Sequence, residues 1–405
     1  MKILYISQYF HPEVGATTNR TAAIIKEMRH RGHEVCVLSE MPNHPHGIIF
    51  PAYKGKFFVK EDFSGIPVYH LPVFASPKKS FISRILMYLS FSISALLYIL
   101  IRRPKYDILY VTSPPLFSAF CVLLSKVLFP KRRIIFEVRD LWPDSATELG
   151  ELTNPWLIKA SLILEKSAYH KSNLIVAATN YIGKIIAKKG IQSDKIFVNR
   201  NGVDDIILDS YKSILPKQKE HLFTAIFAGN MGLAYNLEPV IYCAQLLKDE
   251  PVKFIFVGGG PCKANLENLS KRLKLHNVVF MEQIPQSELG NLLAMADCGL
   301  VCLKDLPVLS GSLPVKIFDY MAFKLPIVGG IRGEAADVIT EAKAGIVVPP
   351  GDSKAMADAI RKLMQEPLLV EEMGQSARHY VLQHFPRKHL ASQLVSEIES
   401  RFARL

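Results

Sequence analysis

The chain has 405 residues, of which 49% are hydrophobic and 21% charged, and its net charge is +12. This length and composition predict two or three globular domains with sizeable cores. The six cysteines are scattered and form no CxxC pair, which excludes a disulfide framework and a cysteine-based zinc site and favours a reduced, cytosolic protein.

The positive charge is concentrated in residues 76–136, where ten Lys and Arg residues stand against one acid, Asp107. This segment is also among the most apolar parts of the chain. Basic residues that flank apolar helices indicate an anionic membrane surface, whereas a nucleic-acid binder more often interleaves basic residues with exposed aromatic ones. We therefore expect a membrane-docking segment over 76–136 and no nucleic-acid partner.

Apolar runs of strand type alternate with helix-period segments along almost the whole chain. The runs lack polar alternation, which is typical of parallel strands that are buried on both faces. The pattern predicts an α/β protein of doubly wound sheets. The predicted strands are Ile3–Ile6, Val35–Leu38, Ile108–Val111, Arg133–Glu137, Leu174–Ala177, Phe223–Phe227, Lys253–Val257, Cys298–Leu303, Pro326–Val328 and Ile346–Val348.

The pattern breaks at residues 204–222, a polar stretch that we interpret as a linker. It divides the chain into a first Rossmann-like domain, 1–205, and a second, 206–385. A final helix in 386–405 is expected to pack back on the first domain. Two domains of this kind leave a cleft between the carboxyl ends of their sheets, where ligands bind.

The loop after the first strand contains His11 and Gly15 and leads into a helix. Gly15 would let the backbone approach a ligand closely, and Thr17 or Thr18 could cap the helix. An ordinary turn between strand and helix is the alternative. For His11, a structural or surface role is the alternative to ligand binding.

Residues 85–101 carry no charge and would form a helix of roughly 25 Å, against about 30 Å for a bilayer core. Arg84 precedes this run, and Arg102 and Arg103 follow it. Basic residues at both ends disfavour a crossing, which would also interrupt the first domain. We expect a helix that lies on the membrane; a buried domain helix and a true span are the alternatives.

Arg139, Asp140 and Trp142 follow the predicted strand Arg133–Glu137 and would face the same cleft. Asp140 could orient or deprotonate an acceptor hydroxyl, and Trp142 could stack on a sugar face. An ion pair between Arg139 and Asp140 beside a core tryptophan is the alternative.

Further loops follow the strands of the second half. Gly229 and Asn230 can present backbone N–H groups to a pyrophosphate, and the run 258–261 lacks the full G-x-G-x-x-G spacing of a dinucleotide site. The loop with Gln283 and Ile284 could hold a nucleobase edge, with a plain turn as the alternative. Arg200 lies in a possible hinge. The loop 329–334, which contains Arg332, could line a donor pocket.

Residues 310–330 carry the strongest functional pattern. A Ser/Gly loop with Ser312 is followed by Pro314 and then by a predicted helix. A helix N-terminus offers unpaired N–H groups and a partial positive charge, which suit a phosphate. Lys316 adds a full charge in the first turn, and Asp319 lies on the same face three residues on. This combination suits a ligand with both phosphates and a hydroxylated ring.

Together these motifs resemble retaining glycosyltransferases of family 4, which have the GT-B fold, over nearly the whole chain. The strongest matches are the glycine loop after the first strand and the segments 201–204, 228–230, 258–261, 316–322 and 345–352. Residues 139–143 are similar to a narrower branch that builds bacterial surface polysaccharides and includes fucosamine-type transferases.

The resemblance implies a nucleotide-sugar donor in the second domain and a polyprenyl-diphosphate-linked sugar acceptor in the first. It also implies front-face substitution with retention, in which the leaving phosphate accepts the proton and Asp140 positions the acceptor. Domain closure would exclude water.

The chain departs from the family pattern in two places. Asp319 matches the second of the family's paired glutamates, which is expected to bind the ribose diol, but Gly311 stands at the first. Asn230 and Asn236 occupy positions where the family often has arginine and lysine. Lys316, with Arg332 or Arg200, is therefore expected to supply the charge that binds phosphate.

We thus expect a metal-independent hexosyltransferase of O-antigen, capsule or other surface-polysaccharide biosynthesis, located at the inner face of the cytoplasmic membrane. A UDP-sugar is the expected co-substrate, with guanine and thymine nucleotides as alternatives. A nucleotide-sugar epimerase, an NAD-dependent oxidoreductase and a non-catalytic membrane scaffold are the alternative functions. The expected catalytic residues are Asp140, Lys316 and Asp319; the donor-binding residues Gly15, Arg200, Gly229, Asn230, Gln283, Ile284, Ser312, Lys316, Asp319 and Arg332; and the acceptor-binding residues His11, Arg139, Asp140 and Trp142.

Overall fold

The computed structural model describes residues 1–78, 80–213 and 222–402. The chain forms two compact units. Met1–Arg200 and the residues from Lys388 onward belong to the first unit, and Asn201–Arg387 form the second. The sequence predicts boundaries after residues 205 and 385, whereas those of the units fall after 200 and 387.

The first unit is built on a sheet that is parallel except at one edge. Its strands are β1 (Lys2–Ile6), β2 (Glu34–Glu40), β3 (Val59–Phe63), β4 (Ile66–Leu71), β5 (Ile108–Ser113), β6 (Arg133–Val138), β7 (Leu174–Ala177) and β8 (Ile196–Val198). They are ordered β3-β4-β2-β1-β5-β6-β7-β8, and β3 pairs antiparallel with β4. The helices are α1 (Ala16–His30), α2 (Phe81–Arg102), α3 (Ala119–Leu128), α4 (Asp144–Glu148), α5 (Pro155–Lys171) and α6 (Asn180–Lys188).

The second unit is built on a fully parallel sheet. Its strands are β9 (Phe223–Ala228), β10 (Val252–Val257), β11 (Val278–Met281), β12 (Cys298–Cys302), β13 (Ile327–Gly330) and β14 (Gly345–Val348). Its helices are α7 (Asp205–Ser213), α8 (Glu238–Leu246), α9 (Lys263–Arg272), α10 (Gln286–Met295), α11 (Val315–Ala322), α12 (Glu334–Glu341), α13 (Ser353–Gln365) and α14 (Pro367–His384). The strands are ordered β11-β10-β9-β12-β13-β14. The winding direction therefore reverses between β9 and β12, and ligands of such sheets bind at the carboxyl ends of the strands at this switch point.

The last described helix, α15 (Arg387–Phe402), contributes to the core of the first unit. Ile24 and Ile25 of α1 and Leu394 and Ile398 of α15 belong to one hydrophobic cluster with the strands, and each is at most 1% exposed. Burying such side chains stabilises each by about 1.5–3 kcal/mol.

The α/β prediction is confirmed, and each of the ten predicted strands is present within a residue or two of its expected bounds. The sequence does not predict the β3–β4 hairpin, because its polar alternation differs from the apolar pattern of the other strands. The predicted linker is wrong in part, since residues 205–213 form α7, which packs on α10 and α11. Residues 214–221 lie outside the described residues.

Candidate functional site

Three loops meet at the carboxyl ends of β9, β10 and β11, and the first two contain Gly229 and Gly258. The Gly229 N–H donates to the Val257 carbonyl at 2.8 Å, and the Gly258 N–H donates to the Met281 carbonyl at 3.2 Å. A Cβ atom on Gly258 would lie 2.2 Å from the Gly229 carbonyl oxygen, and the φ of +134° at Gly258 also disfavours a side chain. The loops therefore form a tightly packed edge of bare backbone.

Helix α11 begins beside this edge. It follows β12 and a 3₁₀ turn, Pro307–Gly311, and Pro314 is its N-cap residue. No side chain caps this end; the Ile317 N–H donates to the Pro314 carbonyl at 3.1 Å, and the N–H groups of Val315 and Lys316 precede it in the first turn. The helix places Lys316 in its first turn and Asp319 one turn further on, as the sequence predicts.

The Lys316 amine is buried next to the glycine loop of β9. The side chain is 8% exposed, and Nζ lies 3.4 Å from the Phe227 ring centroid and 4.2 Å from that of Tyr235. Nζ also lies 3.4 Å from where a Cβ on Gly229 would be. It has no hydrogen-bond partner in the described part of the chain. Burial lowers the pKa of Lys316 well below its ordinary value.

Asp319 is the second buried charged group of α11. The residue is 9% exposed, and its Oδ1 atom has no hydrogen-bond partner within the described residues. Burial and the nearby Asp204 carboxylate raise the pKa of Asp319 to about 7, although Arg387 and Lys316 act in the opposite direction. Arg387 itself forms an ion pair with Asp204. Lys316 and Asp319 thus supply a buried amine and a buried carboxyl group, each with an atom that lacks a hydrogen-bond partner in the described residues.

The loops after β12 and β13 come to the same edge of the sheet. The Lys304 N–H donates to the Ala234 carbonyl at 3.0 Å, which joins the loops after β12 and β9. A Cβ atom on Gly333 would lie 2.1 Å from the Ser310 carbonyl oxygen, so the loop after β13 packs on the segment before α11. The loops after five strands therefore lie at this edge of the sheet, and the Gly229 loop lies next to Lys316 in the first turn of α11.

The other predicted donor residues of this unit lie on these loops. Asn230 and Gln283 are exposed, whereas Ser312 and Ile284 are half-buried. Arg332 is mostly exposed and forms an ion pair with Asp305 at 3.6 Å. Arg200 belongs to the first unit, where its carbonyl accepts a hydrogen bond from Arg20.

In the first unit, Arg139 joins two loops. Its Nη1 donates to the Thr17 hydroxyl, and its Nη2 donates to the Pro114 carbonyl at 2.7 Å. The expectation that Thr17 or Thr18 caps α1 is therefore wrong. The N-cap residue is Gly15, whose backbone is extended and above which a Cβ atom would meet no neighbour.

The remaining predicted acceptor residues lie on loops after β1 and β6. Asp140 is exposed and accepts a hydrogen bond from the Ser145 hydroxyl at 3.2 Å. Trp142 is half-buried, with its ring centroid 5.7 Å from that of Phe117. His11 is exposed and lies near the ring of Phe63, at 5.1 Å between centroids.

The sequence does not predict a buried ion pair between α1 and β6. Arg20 Nε lies 2.6 Å from Glu137 Oε1, and Arg20 also donates to the carbonyls of Asn199 and Arg200 at 2.8 and 2.9 Å. Arg20 is 3% exposed and Glu137 is fully buried. The one available signal is that Glu137 is an acid within the apolar part of β6, where a buried carboxylate needs a cationic partner.

A second polar cluster lies between the loops that follow β1 and β2. Glu13 Oε1 accepts the N–H groups of Asn43 and His44 at 2.7 and 2.8 Å. Its Oε2 atom has no hydrogen-bond partner within the described residues, and burial raises the pKa of Glu13 to about 7. Glu40 accepts hydrogen bonds from Gln8 and Asn43, and burial raises its pKa as well. No sequence pattern indicates this cluster.

In the residues that the structure describes, no group of three or more His, Cys, Asp or Glu side chains is placed to hold a metal ion.

Two family profiles cover most of the chain. The profile described as "Glycosyl transferase 4-like domain" matches residues 15–202, and the profile described as "Glycosyl transferases group 1" matches residues 210–380. The chain therefore belongs to the family 4 glycosyltransferases, and its fold is GT-B.

Similar proteins cover the whole length of the chain. The putative colanic acid biosynthesis glycosyl transferase WcaI of Escherichia coli K12 is 26% identical, over 98% of this chain and 100% of that protein. Sucrose-phosphate synthase of Thermosynechococcus elongatus has a similar structure, with a TM-score of 0.76 at 14% identity and full coverage of both chains. Anabaena HepE in complex with UDP gives a TM-score of 0.70 at 16% identity, over 99% of this chain and 100% of that one.

Proposed function

We propose that the chain transfers a sugar from a nucleotide-sugar donor that binds in the second unit, Asn201–Arg387. The observation that carries this proposal is the pair of buried groups on α11, the Lys316 amine and the Asp319 carboxyl, each with an atom that lacks a hydrogen-bond partner. The donor diphosphate would lie against the Gly229 loop and the first N–H groups of α11, beside Lys316. Asp319 would accept the ribose hydroxyls.

The physical reason is the free-energy cost of burying polar groups that have no partner within the protein. A buried polar group without a partner costs about 1–3 kcal/mol, and more when it is charged. A diphosphate next to Lys316 restores the charged form of the amine and forms a charge-assisted hydrogen bond. The ligand would thus recover free energy that the fold has lost, which is why unpaired buried groups favour a binding role over a purely structural one.

The same contacts would assist the chemical step. When the bond from the anomeric carbon to the donor phosphate breaks, charge develops on the leaving diphosphate, and Lys316 and the α11 N–H groups would stabilise it. With front-face attack and retention, a leaving phosphate oxygen accepts the proton of the acceptor hydroxyl. Arg332 is the further cation proposed for the phosphates, and Asn230, Gln283, Ile284 and Ser312 are proposed to bind the rest of the donor.

We propose that the first unit binds the acceptor. Asp140 is exposed and can orient a hydroxyl, and the half-buried Trp142 can stack on a sugar ring. His11 belongs to the same proposed acceptor site. Because Arg139 binds Thr17 and Pro114, its proposed role is to hold these loops in position. The relative named for colanic acid biosynthesis supports an acceptor in surface-polysaccharide synthesis, for which we propose a polyprenyl-diphosphate-linked sugar.

We propose that α2 docks the enzyme on the cytoplasmic membrane. By length and composition α2 could cross a membrane. Its exposed apolar residues recur at intervals of three, four or seven, which places them on one side of the helix. Phe91, Ala95 and Ile99 on the other side are buried in the unit, which favours a helix that lies on the lipid surface. The exposed residues, each at least 43% exposed, are Ile82, Leu86, Ile93, Leu97, Leu100 and Ile101.

A binding panel and a transfer assay test these proposals. Thermal shift with UDP, GDP, TDP and their sugars, with and without EDTA, should show stabilisation by one base type that survives the chelator; the UDP complex of HepE makes UDP the first choice. Transfer of a labelled sugar from the donor to a polyprenyl-diphosphate-linked acceptor would support the proposed reaction. A product with the same anomeric configuration as the donor would support retention. Epimerisation of the free donor, hydride transfer or no turnover would each overturn the proposed reaction.

A further inference from the structure

A short segment of the first unit, Lys54–Lys60, is basic and aromatic at its surface. Its sequence is Lys-Gly-Lys-Phe-Phe-Val-Lys, with three cations and no acid. The three lysines are exposed, and Phe57 is 80% exposed. The carboxylate of Glu61, the next residue, accepts a hydrogen bond from the Tyr53 hydroxyl at 2.7 Å and lies 3.1 Å from His70 Nε2. The segment therefore presents positive charge and an apolar ring to solvent.

Aromatic stacking fixes this segment to α2. The Phe58 ring lies 5.4 Å from that of Tyr69 on β4 and 6.4 Å from that of Tyr98 on α2, in both cases stacked. Tyr98 and Ile101 are one turn apart on the same side of α2, and Ile101 is 73% exposed. The segment and the exposed end of α2 thus form one continuous surface.

The charge of this surface is of one sign. Arg102, Arg103 and Lys105 follow the apolar part of α2 and are exposed. With the lysines at 54, 56 and 60, six exposed cations belong to the same two segments as the exposed rings and aliphatic side chains, and neither 54–60 nor 97–105 contains an acid. Exposed apolar side chains together with cations match the acyl chains and the phosphate headgroups of an anionic bilayer.

We propose that Lys54–Lys60 is a second membrane contact of this protein, in which Phe57 inserts between anionic lipids while Lys54 and Lys56 bind their headgroup phosphates. This inference rests on the proposed docking of α2 and extends it to a part of the chain outside residues 76–136. Because the stacked rings hold the segment to α2, both contacts would engage the same bilayer and fix how the first unit lies on it.

Vesicle co-sedimentation of the full chain tests the inference, with phosphatidylcholine vesicles that contain or lack phosphatidylglycerol. The double variant Lys54→Glu/Lys56→Glu should bind the anionic vesicles at least roughly thirtyfold more weakly, at about 1 kcal/mol for each lost cation. Phe57→Ser should lower the affinity roughly tenfold. The matched controls are Lys354→Glu/Lys362→Glu, with the same change in net charge, and Leu368→Ser, which removes a side chain that is 76% exposed in the second unit; both should bind as the wild type does.

The outcomes separate the two proposals. If the wild type does not bind the anionic vesicles, the docking of α2 fails together with this inference. If Leu97→Ser/Ile101→Ser weakens binding but the segment variants do not, only the segment inference is wrong. Equal losses in the segment variants and the charge-matched control would also overturn it. Unchanged thermal shifts with UDP in each variant would show that the fold and the donor site are intact.

Discussion

Two pairs of buried charged groups, one pair in each unit, differ in how their polar atoms are satisfied. In the first unit, Arg20 and Glu137 lie 2.6 Å apart, and Arg20 has further acceptors on the main chain of Asn199 and Arg200. In the second unit, Lys316 and Asp319 are also buried, yet each has an atom without a hydrogen-bond partner in the described residues.

This difference distinguishes charged groups that stabilise the fold from groups that are available to bind a ligand. A buried pair with good geometry recovers most of its desolvation free energy inside the fold, and removal of one partner is strongly destabilising. A buried group without a partner lowers stability, so its replacement by an apolar residue is neutral or stabilising. Removal of one charged group should therefore lower the free energy of unfolding at the Arg20–Glu137 pair, and should leave it unchanged or raise it at Lys316.

The largest expected effect is loss of the structural pair. Glu137→Gln leaves the Arg20 guanidinium buried without a carboxylate, and the free energy of unfolding should fall by about 3–5 kcal/mol. Urea denaturation measures the change. Glu250→Gln, which breaks the surface pair of Arg361 and Glu250 at 2.8 Å, is the control and should cost less than about 1 kcal/mol. Similar small losses in both variants would contradict the structural role of Arg20 and Glu137.

Glu13 is a buried carboxyl group of the first unit that, like Asp319, has an atom without a hydrogen-bond partner in the described residues. Its pKa of about 7 in the folded protein lies above the ordinary value of 4.5, so the folded state holds a proton that the unfolded chain releases between these values. The contribution of Glu13 to stability is thus complete below about pH 4.5 and is lost as the pH rises to about 7. Glu13→Gln removes this titration.

The difference in unfolding free energy between Glu13→Gln and the wild type should consequently shift in favour of the variant by on the order of 3 kcal/mol across that range. Denaturation at several pH values measures it. Glu34→Gln, at an exposed position at the start of β2, is the control for the loss of one negative charge. A difference for Glu13→Gln that does not change with pH would show that the folded protein holds the Glu13 carboxylate ionised.

The sequence predicts the groups that short local patterns define. The apolar runs predict the parallel strands, and the spacing of Pro314, Lys316 and Asp319 predicts their arrangement on α11. These features depend on the helix and strand periods alone. That both side chains on α11 are buried, and that Lys316 lies over Phe227, depends on the packing of β9 against that helix, which no local pattern encodes.

Contacts between distant segments explain what the sequence analysis misses. Arg20 and Glu137 are 117 residues apart, and Glu13 meets Asn43 through the turn that follows β2. Thr17 looks like a helix cap in the sequence, but Arg139 from the loop after β6 takes its hydroxyl. In each case the partner of a polar side chain is set by the tertiary structure and not by the neighbouring sequence.

Lys316→Met should weaken donor binding without a loss of stability, whereas Glu137→Gln should lower stability. Without the amine, the affinity for UDP-glucose should fall by roughly 10- to 100-fold, the equivalent of a charge-assisted hydrogen bond of about 1.5–3 kcal/mol. The free energy of unfolding should stay the same or rise, because methionine fits the space over Phe227 without a buried amine. Calorimetric titration and urea denaturation measure both quantities, and the exposed Lys354→Met is the control. A loss of stability as large as that of Glu137→Gln would make Lys316 a structural residue.

The smallest effects concern the pH dependence of donor binding, and they distinguish the two groups of α11. UDP-glucose is a suitable probe because its diphosphate has no terminal phosphate that titrates near neutral pH. Asp319 must be ionised to accept both ribose hydroxyls, so its pKa of about 7 predicts that affinity falls as the pH drops below 7. Protonation of Lys316 favours the diphosphate, so the lowered pKa of its amine predicts that affinity falls as the pH rises.

Each single variant should expose the dependence of the other group. In Lys316→Met the affinity should rise with pH by up to about tenfold per unit below pH 7 and then level off. In Asp319→Asn the affinity should instead fall as the pH rises, because the amine alone then titrates. The same pH profile in both variants would mean that neither group meets the donor directly, and the unpaired atoms of α11 would then need another explanation than the diphosphate and ribose that we propose for them.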